Sequence, residues 1–332
     1  MTWRFLVTRL LARPAATADL YFADSCEPFL QNGTVSKLAP TVFASAEAML
    51  VLRHDSSLPA GAKRRRLVYF MDDDIEGGCR DPHLPRSYRA KLAVVDRWAA
   101  LRLAPRADAI VVSSENLKSA ARKLAPQARI EVLHPYWREP LSDLVHLKQD
   151  KTVEIAFLGA QTHARDLHFL LPVIADILDT HPHVRFSVSS GHRLPGPLAR
   201  HKRVRRIAPT RWTDYRPTLA KRRYQIALYP LLDSPFNHGR SINKIIEHAI
   251  AGAAGIYSAN WPESRRISAA GAGVVVDNDA RAWRNAIADL IADRTRLQSV
   301  AERGRDLADL LNRPEPQREL WADLMNFGAE AR

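Results

Sequence analysis

An α/β architecture of two consecutive units, each wound around a parallel sheet, is what this sequence predicts, and three observations predict it. Short apolar runs rich in Val, Ile, Phe and Tyr recur along the chain and read as strands buried on both faces. Amphipathic stretches of helical period separate these runs, the alternation expected of βαβ units. The series lapses over Tyr136–Lys151 and restarts at Val153, and 332 residues is about twice a ~150-residue domain.

In the first unit the runs place strands at Thr41–Phe43, Ala48–Arg53, Arg66–Met71, Ala109–Ser113 and Arg129–Leu133, with helices at Leu92–Leu103 and Asn116–Leu124. In the second unit strands are expected at Val153–Leu158, Val184–Val188, Ile226–Leu228, Gly255–Tyr257 and Gly273–Val276. Helices are expected at Leu167–Thr180, Ile242–Ala251, Ala280–Asp293 and Thr295–Leu311, and two short helical stretches within 192–224. The segment YWREPLSDLVHLKQD carries neither period and reads as the linker. Pro314 and Pro316 stop one helix and suit the first turn of another, about Glu315–Phe327. The units are therefore 1–140, 151–312 and a last helix within 313–332.

An apolar fraction of 46% excludes wholesale disorder. The net charge of +13 is carried largely by arginine, 39 of the 49 basic residues, a side chain whose fork suits phosphate and carboxylate. Two cysteines, Cys26 and Cys79, give neither a disulfide framework nor a four-Cys zinc site, and point to a reducing compartment. Arg4, Arg9 and Arg13 interrupt the apolar N-terminal stretch, and no run of ~20 apolar residues is present to span a bilayer. A cytoplasmic protein is expected, with peripheral contact at the inner face of an anionic membrane left open. The basic runs Lys63–Arg66, Arg200–Arg206 and Lys221–Arg223 are the surfaces for such contact, at about 1 kcal/mol per cation. The histidines show no metal-ligand spacing, and the scattered tryptophans form no stacking platform for nucleic acid.

Three constellations carry chemistry. In RRLVYFMDDDIEGG a buried strand runs into Asp72, Asp73 and Asp74, at the sheet edge where ligands of open α/β sheets bind. The same acids also read as a solvated turn, a helix N-cap or oxygen ligands for a divalent metal. In VEIAFLGAQTHARDLHFLLP a strand ends at Gly159 and a helix opens near Arg165 or Asp166, so that a helix N-terminus faces an anion with His163 and Arg165 as added cationic donors. In YPLLDSPFNHGRSINKIIEHAIAGAAGIYSAN a Pro-containing loop holds Asp233, Ser234, Asn237, Arg240 and Ser241. A helix follows with Ser241 as its expected N-cap, and Asn243, Lys244 and Glu247 lie in its opening turns.

The pattern Asp233-Ser234-Pro235, then Ser241-x-Asn243-Lys244-Ile245-x-Glu247-His248-Ala249-x-Ala251-Gly252 and a short strand, resembles the donor-site segment of GT-B glycosyltransferases of the family 4-like and bacterial family 1 groups. The resemblance covers roughly 150–312, and VYFMDDDIEG extends it loosely over 65–137. It implies two facing Rossmann-like domains and a C-terminal helix crossing back to the first. It implies transfer of a sugar from a nucleotide-diphosphate sugar to the hydroxyl of a glycan or lipid-linked acceptor, with retention, in cell-surface glycan or glycolipid synthesis. Metal and further cofactors are not called for, because cations serve the leaving diphosphate. By the resemblance, Glu247 contacts the ribose, Arg165, Lys244 and the Ser241 region lie at the phosphates, and Asp72 or Asp73 orients or deprotonates the acceptor. Where family members carry an acid eight positions before the second one, this chain has Gly239, and Asp233 lies further upstream. A catalytically degenerate partner subunit is therefore an alternative, and a basic nucleic-acid-binding protein a more distant one.

Overall fold

A computed structural model describes residues 16–54, 65–149, 151–189, 191–208 and 210–327. Lys63 and Arg64, and the first 15 residues with their arginines, lie outside the described residues.

The chain forms two six-stranded sheets. The first runs β1 (Ser36–Ala39), β2 (Val42–Ala44), β3 (Ala48–Leu52), β4 (Arg66–Met71), β5 (Ala109–Val112) and β6 (Arg129–Val132) in sequential order. Its β3–β6 ladder is parallel, whereas β1, β2 and β3 are antiparallel neighbours. This departs from an all-parallel expectation, and connections of a few residues explain it, because a parallel pair needs a crossover of about a dozen. The second sheet is wholly parallel, in the order β12 (Val274–Val276), β11 (Ala254–Ser258), β10 (Ile226–Tyr229), β7 (Val153–Phe157), β8 (Val184–Ser189), β9 (Val204–Ile207). The two strands not foreseen, β1 (SKLA) and β9 (VRRI), are polar edge strands without an apolar run to betray them.

The second sheet alternates its faces. Ile155, Phe157, Phe186 and Leu228 pack under α3 (Ala164–Thr180) and α6 (Ala280–Ala292). Here α1 is Ile75–Arg80 and α2 is Leu117–Leu124, both in the first unit, and α4 is Trp212–Lys221. Ala156, Ala227, Tyr229 and Tyr257 pack on the opposite face beneath α5 (Asn243–Ala251) and α7 (Arg294–Leu311). That second cluster is continuous with the first unit: it also holds Phe22, Leu50, Phe70 and Trp137. The last helix, α8 (Glu315–Met325), crosses back and covers this face of the first sheet with Trp321, Leu324 and Met325. Its Trp321 indole donates to the Tyr21 carbonyl at 2.7 Å, and Gln317 donates to the carbonyls of Leu20 and His134. The opposite face of the first sheet packs against Leu103, Leu117 and Ala121.

The segment between the sheets lacks a strand but is not slack. Trp137 is buried, and its backbone N–H and carbonyl are both held by the Asn312 amide at 2.7 and 2.8 Å. The chain leaves β7 outward to β8 and β9, then returns to β10 on the other side of β7. The loops after β7 and β10 therefore diverge at a topological switch point, which opens a crevice at the carboxyl ends of the strands. None of the described helices is long and apolar enough to cross a membrane.

Candidate functional site

A cleft of about 670 Å³ opens at this switch point, between the two sheets. On the second-unit side its wall includes Phe157 at the end of β7 and the loop Leu158–His163 after it, Arg240, Ser241, Asn243 and Lys244 at the start of α5, and Glu247. Gly159 permits close approach there: a Cβ would fall 2.5 Å from the Phe157 ring. Glu247 is buried, and its two oxygens are occupied by the Lys244 ammonium and the Tyr215 hydroxyl. Lys244 also donates to the Leu158 carbonyl at 2.7 Å, which ties α5 to the loop after β7. Burial and the neighbouring Glu247 carboxylate push the Tyr215 phenol well above its ordinary value, so it stays a donor. The far end of the cleft is aromatic: Trp212 stacks on Tyr215 and meets Trp137 edge-on.

On the first-unit side Asp72 and Asp73 line the cleft at the end of β4, as the strand run suggested. They are not free carboxylates. Arg53 reaches Asp72 at 3.0 Å, Asp73 at 2.8 Å and the buried Asp96 at 3.2 Å. Asp73 further accepts from Tyr88 at 2.9 Å and from Arg240 of the second unit at 3.0 Å, and Asp72 from Thr17 at 2.6 Å. Burial alone would raise both carboxyls. At Asp73 the guanidinium groups of Arg53 and Arg240 outweigh it and hold the group below its ordinary value, whereas Asp72 stays raised by burial. Arg53 holds this position at φ 63°, a left-handed backbone that costs a side-chain-bearing residue about 1–2 kcal/mol. Asp74 takes the N-cap role: its carboxylate accepts the Gly77 N–H at 2.9 Å at the start of α1. Asp72 and Asp73 thus share the Arg53 guanidinium while Asp74 caps α1, and among the described residues no cluster of His, Cys, Asp and Glu could hold a metal.

Gly159, His163, Arg240, Ser241, Asn243, Lys244 and Glu247 therefore meet in one place with Asp72 and Asp73. Arg165, Asp233, Ser234 and Asn237 do not. Arg165 turns outward to the Asp233 carbonyl at 3.2 Å, and Asp233 is exposed with His238 as its partner. Both line a separate groove of about 570 Å³. Ser234 caps the short helix Pro235–His238 by accepting the Asn237 N–H, and Asn237 is buried against the Leu232 carbonyl and Asp166. The reason is local: the Pro235 turn spends these polar groups on its own backbone, where a spacing argument assigns them to a ligand. Ser241 is not the N-cap expected for α5. Ile242 holds that position, and the Ser241 hydroxyl accepts from Tyr21 across the domain interface at 3.2 Å.

His163 is buried rather than a free surface cation, and burial with the nearby Arg240 and Lys244 lowers it below the ordinary histidine value despite Asp166. Arg53, Tyr88, Tyr215, Trp212 and Asp166 join the site without having been singled out from the sequence. Arg53 ends a predicted strand, and Trp212 and Tyr215 lie one turn apart on α4, but nothing in one dimension aims any of them at the cleft.

Gly239 does not face the cleft at all. Its carbonyl accepts from Ser114 at 3.0 Å, and a Cβ there would sit 2.8 Å from Leu117 on α2. Gly239→Glu should therefore destabilise the fold by about 1–3 kcal/mol through overpacking, without adding a carboxylate to the cleft. Thermal melting and donor affinity of the variant measure the two halves of that expectation.

No protein-family model matches the sequence, and no curated protein matches it. The fold is similar to several solved structures. TarM is 11% identical with a TM-score of 0.56, over 80% of this chain and 51% of that one, so this chain spans about half of its length. HepE of Anabaena, solved in complex with UDP-glucose, is 16% identical with a TM-score of 0.55, over 79% and 72% of the two chains. WaaG, described as a glycosyltransferase involved in lipopolysaccharide biosynthesis, is 15% identical with a TM-score of 0.57, over 81% and 79%.

Proposed function

We propose that this chain, which has the GT-B fold, is a glycosyltransferase that moves a sugar from a nucleotide-diphosphate sugar to an acceptor hydroxyl. The observation that carries the reading is the buried Glu247 carboxylate at the switch-point cleft, fixed by Lys244 and Tyr215 within reach of an aromatic wall and of the Gly159 loop. A preorganised carboxylate suits a pair of ribose hydroxyls. Lys244, the Ser241–Asn243 turn and the N-terminus of α3 suit a diphosphate, because backbone N–H groups and cations stabilise the charge developing on a leaving group. The planar faces of Trp212 and Tyr215 suit a nucleobase.

The first-unit side would receive the acceptor, with Asp72 as the carboxylate best placed to orient its hydroxyl, since Asp73 is committed to two guanidinium groups. Arg240 bridges the two units at that point, so the acceptor side and the donor side share one charged contact. Retention of configuration, a glycan or lipid-linked acceptor and placement at the inner membrane face extend the same reading. UDP-glucose and HepE are what supports the donor class.

A second reading is favoured by one observation. Position 239 on the donor side is a glycine sealed by Leu117, and the two cleft aspartates on the acceptor side are both ion-paired, as suits a degenerate partner subunit. A thermal-shift panel of UDP-, GDP- and ADP-sugars followed by product analysis separates the two. Stabilisation by a nucleotide sugar with turnover supports the enzyme, and stabilisation without turnover or hydrolysis supports the partner subunit. No stabilisation by any of them removes the donor-site reading.

A further inference from the structure

His163 closes the turn after β7 and immediately precedes α3, facing the cleft beside Gly159 and Lys244. Its Nδ1–H donates to Asp166 Oδ2 at 2.8 Å, which leaves Nε2 for the cleft. Asp166 is itself fixed: its other oxygen accepts the Leu232 N–H at 3.0 Å and the Asn237 amide at 3.4 Å. A carboxylate so anchored sets the imidazole's orientation and tautomer, and favours its cation once a second anion is present. The groups facing the ring are Asp166 on its own helix, Tyr229 of β10 with ring centroids 5.7 Å apart, and Arg240 and Lys244 from the segment that enters α5.

Resting on the donor-site reading above, we propose that His163 takes up a proton as a diphosphate enters the cleft and, as the imidazolium, keeps it on Nε2 in a hydrogen bond to a phosphate oxygen, so that donor binding and protonation are linked. In the free protein burial, Arg240 and Lys244 disfavour the imidazolium, and Asp166 supports it. Arg240 and Lys244 already face Asp73 and Glu247, and an entering diphosphate adds negative charge beside the ring and supplies an acceptor for Nε2–H. The balance at this one residue then reverses. His163 is thus a neutral acceptor in the empty cleft and a charged donor in the filled one. The sign follows from linkage: the group binds more protons in the complex, so affinity rises as pH falls through the interval between its free and bound values.

The test is calorimetry of nucleotide-sugar binding to the full chain in two buffers of different ionisation enthalpy. UDP-glucose, GDP-mannose and ADP-glucose serve as probes, because a diphosphate esterified at both ends has no group titrating near neutrality. The expected result is uptake of a substantial fraction of one proton near pH 7.5, and affinity falling up to tenfold per pH unit in the alkaline direction. His163→Gln, which keeps a hydrogen-bond donor but cannot titrate, is expected to abolish the uptake and flatten the pH profile while still binding. Binding by the wild-type chain with no proton uptake overturns this inference and leaves the donor site standing. Absence of binding by all three probes overturns both. The wild-type proton count decides the matter even where the variant fails to fold.

Discussion

Glu247→Gln is expected to weaken nucleotide-sugar binding by about 10- to 100-fold and to leave the fold intact. A carboxylate that accepts two hydroxyl hydrogen bonds contributes about 1.5–3 kcal/mol as a charged acceptor, and each 1.4 kcal/mol is tenfold in affinity. The amide preserves the shape of a residue that is buried between Lys244 and Tyr215. Both variants remove the counter-charge of Lys244, but Gln keeps an acceptor and the volume, whereas Glu247→Ala also leaves a cavity and is expected to bind as weakly and to lose about 2–4 kcal/mol of stability. Isothermal calorimetry reads the affinity and thermal melting the stability. Unchanged affinity in both variants would falsify the ribose assignment.

The largest effect on stability is expected at Arg53. This one guanidinium compensates three carboxylates, those of Asp72, Asp73 and Asp96, the last with no exposed side chain. Arg53→Met leaves the volume but takes the guanidinium from Asp72 and leaves Asp73 with Arg240 and Asp96 with Lys91, and breaking a buried ion pair on one side typically costs about 3–5 kcal/mol. The pH dependence gives a separate signature. Asp73 and Asp96 are both held below their ordinary values, against burial, by Arg53 with help from Arg240 at the first and His54 and Lys91 at the second. Groups depressed in the folded state bind fewer protons there than in the unfolded chain, so their contribution is present above about pH 4–5 and lost as pH falls toward the folded values. Wild-type melting temperature should therefore drop on acidification through that window. In Arg53→Met the slope should shrink or reverse, since uncompensated buried carboxylates are relieved by protonation. A wild-type-like acid limb in the variant would show that Arg53 does not hold these groups.

How far the site was legible follows from what kind of signal each residue leaves. The run ending at Met71 and the run ending at Phe157 were visible because buried parallel strands are continuously apolar, and their carboxyl ends located Asp72, Asp73 and Gly159. The period of Asn243–Ala251 located Lys244 and Glu247 on one helix. Polar strands β1 and β9 left no such trace, since an edge strand buries little. Arg165, Asp233, Ser234 and Asn237 share the sequence neighbourhood of the site yet turn away from it, because the turn at Pro235 consumes their donors and acceptors.

The sequence by itself determined the two βα series, the lapse of period over Tyr136–Lys151, a last helix about Glu315–Phe327 and the residue types gathered at the strand ends. All of these depend on periodicity or on stop signals, which are local in the chain. Only the tertiary structure decided which of those residues face the cleft and which partners they meet there. Asp73 meets Arg240 from 167 positions away, and Tyr215 meets Glu247 from 32. Such pairs arise from the return of β10 beside β7 and from the docking of one sheet's loops on the other, and burial then sets the electrostatics. Hydrophobic patterning fixes the faces of helices and strands, whereas the partner of a buried charge is fixed by the packing of whole elements, which no single stretch of sequence encodes.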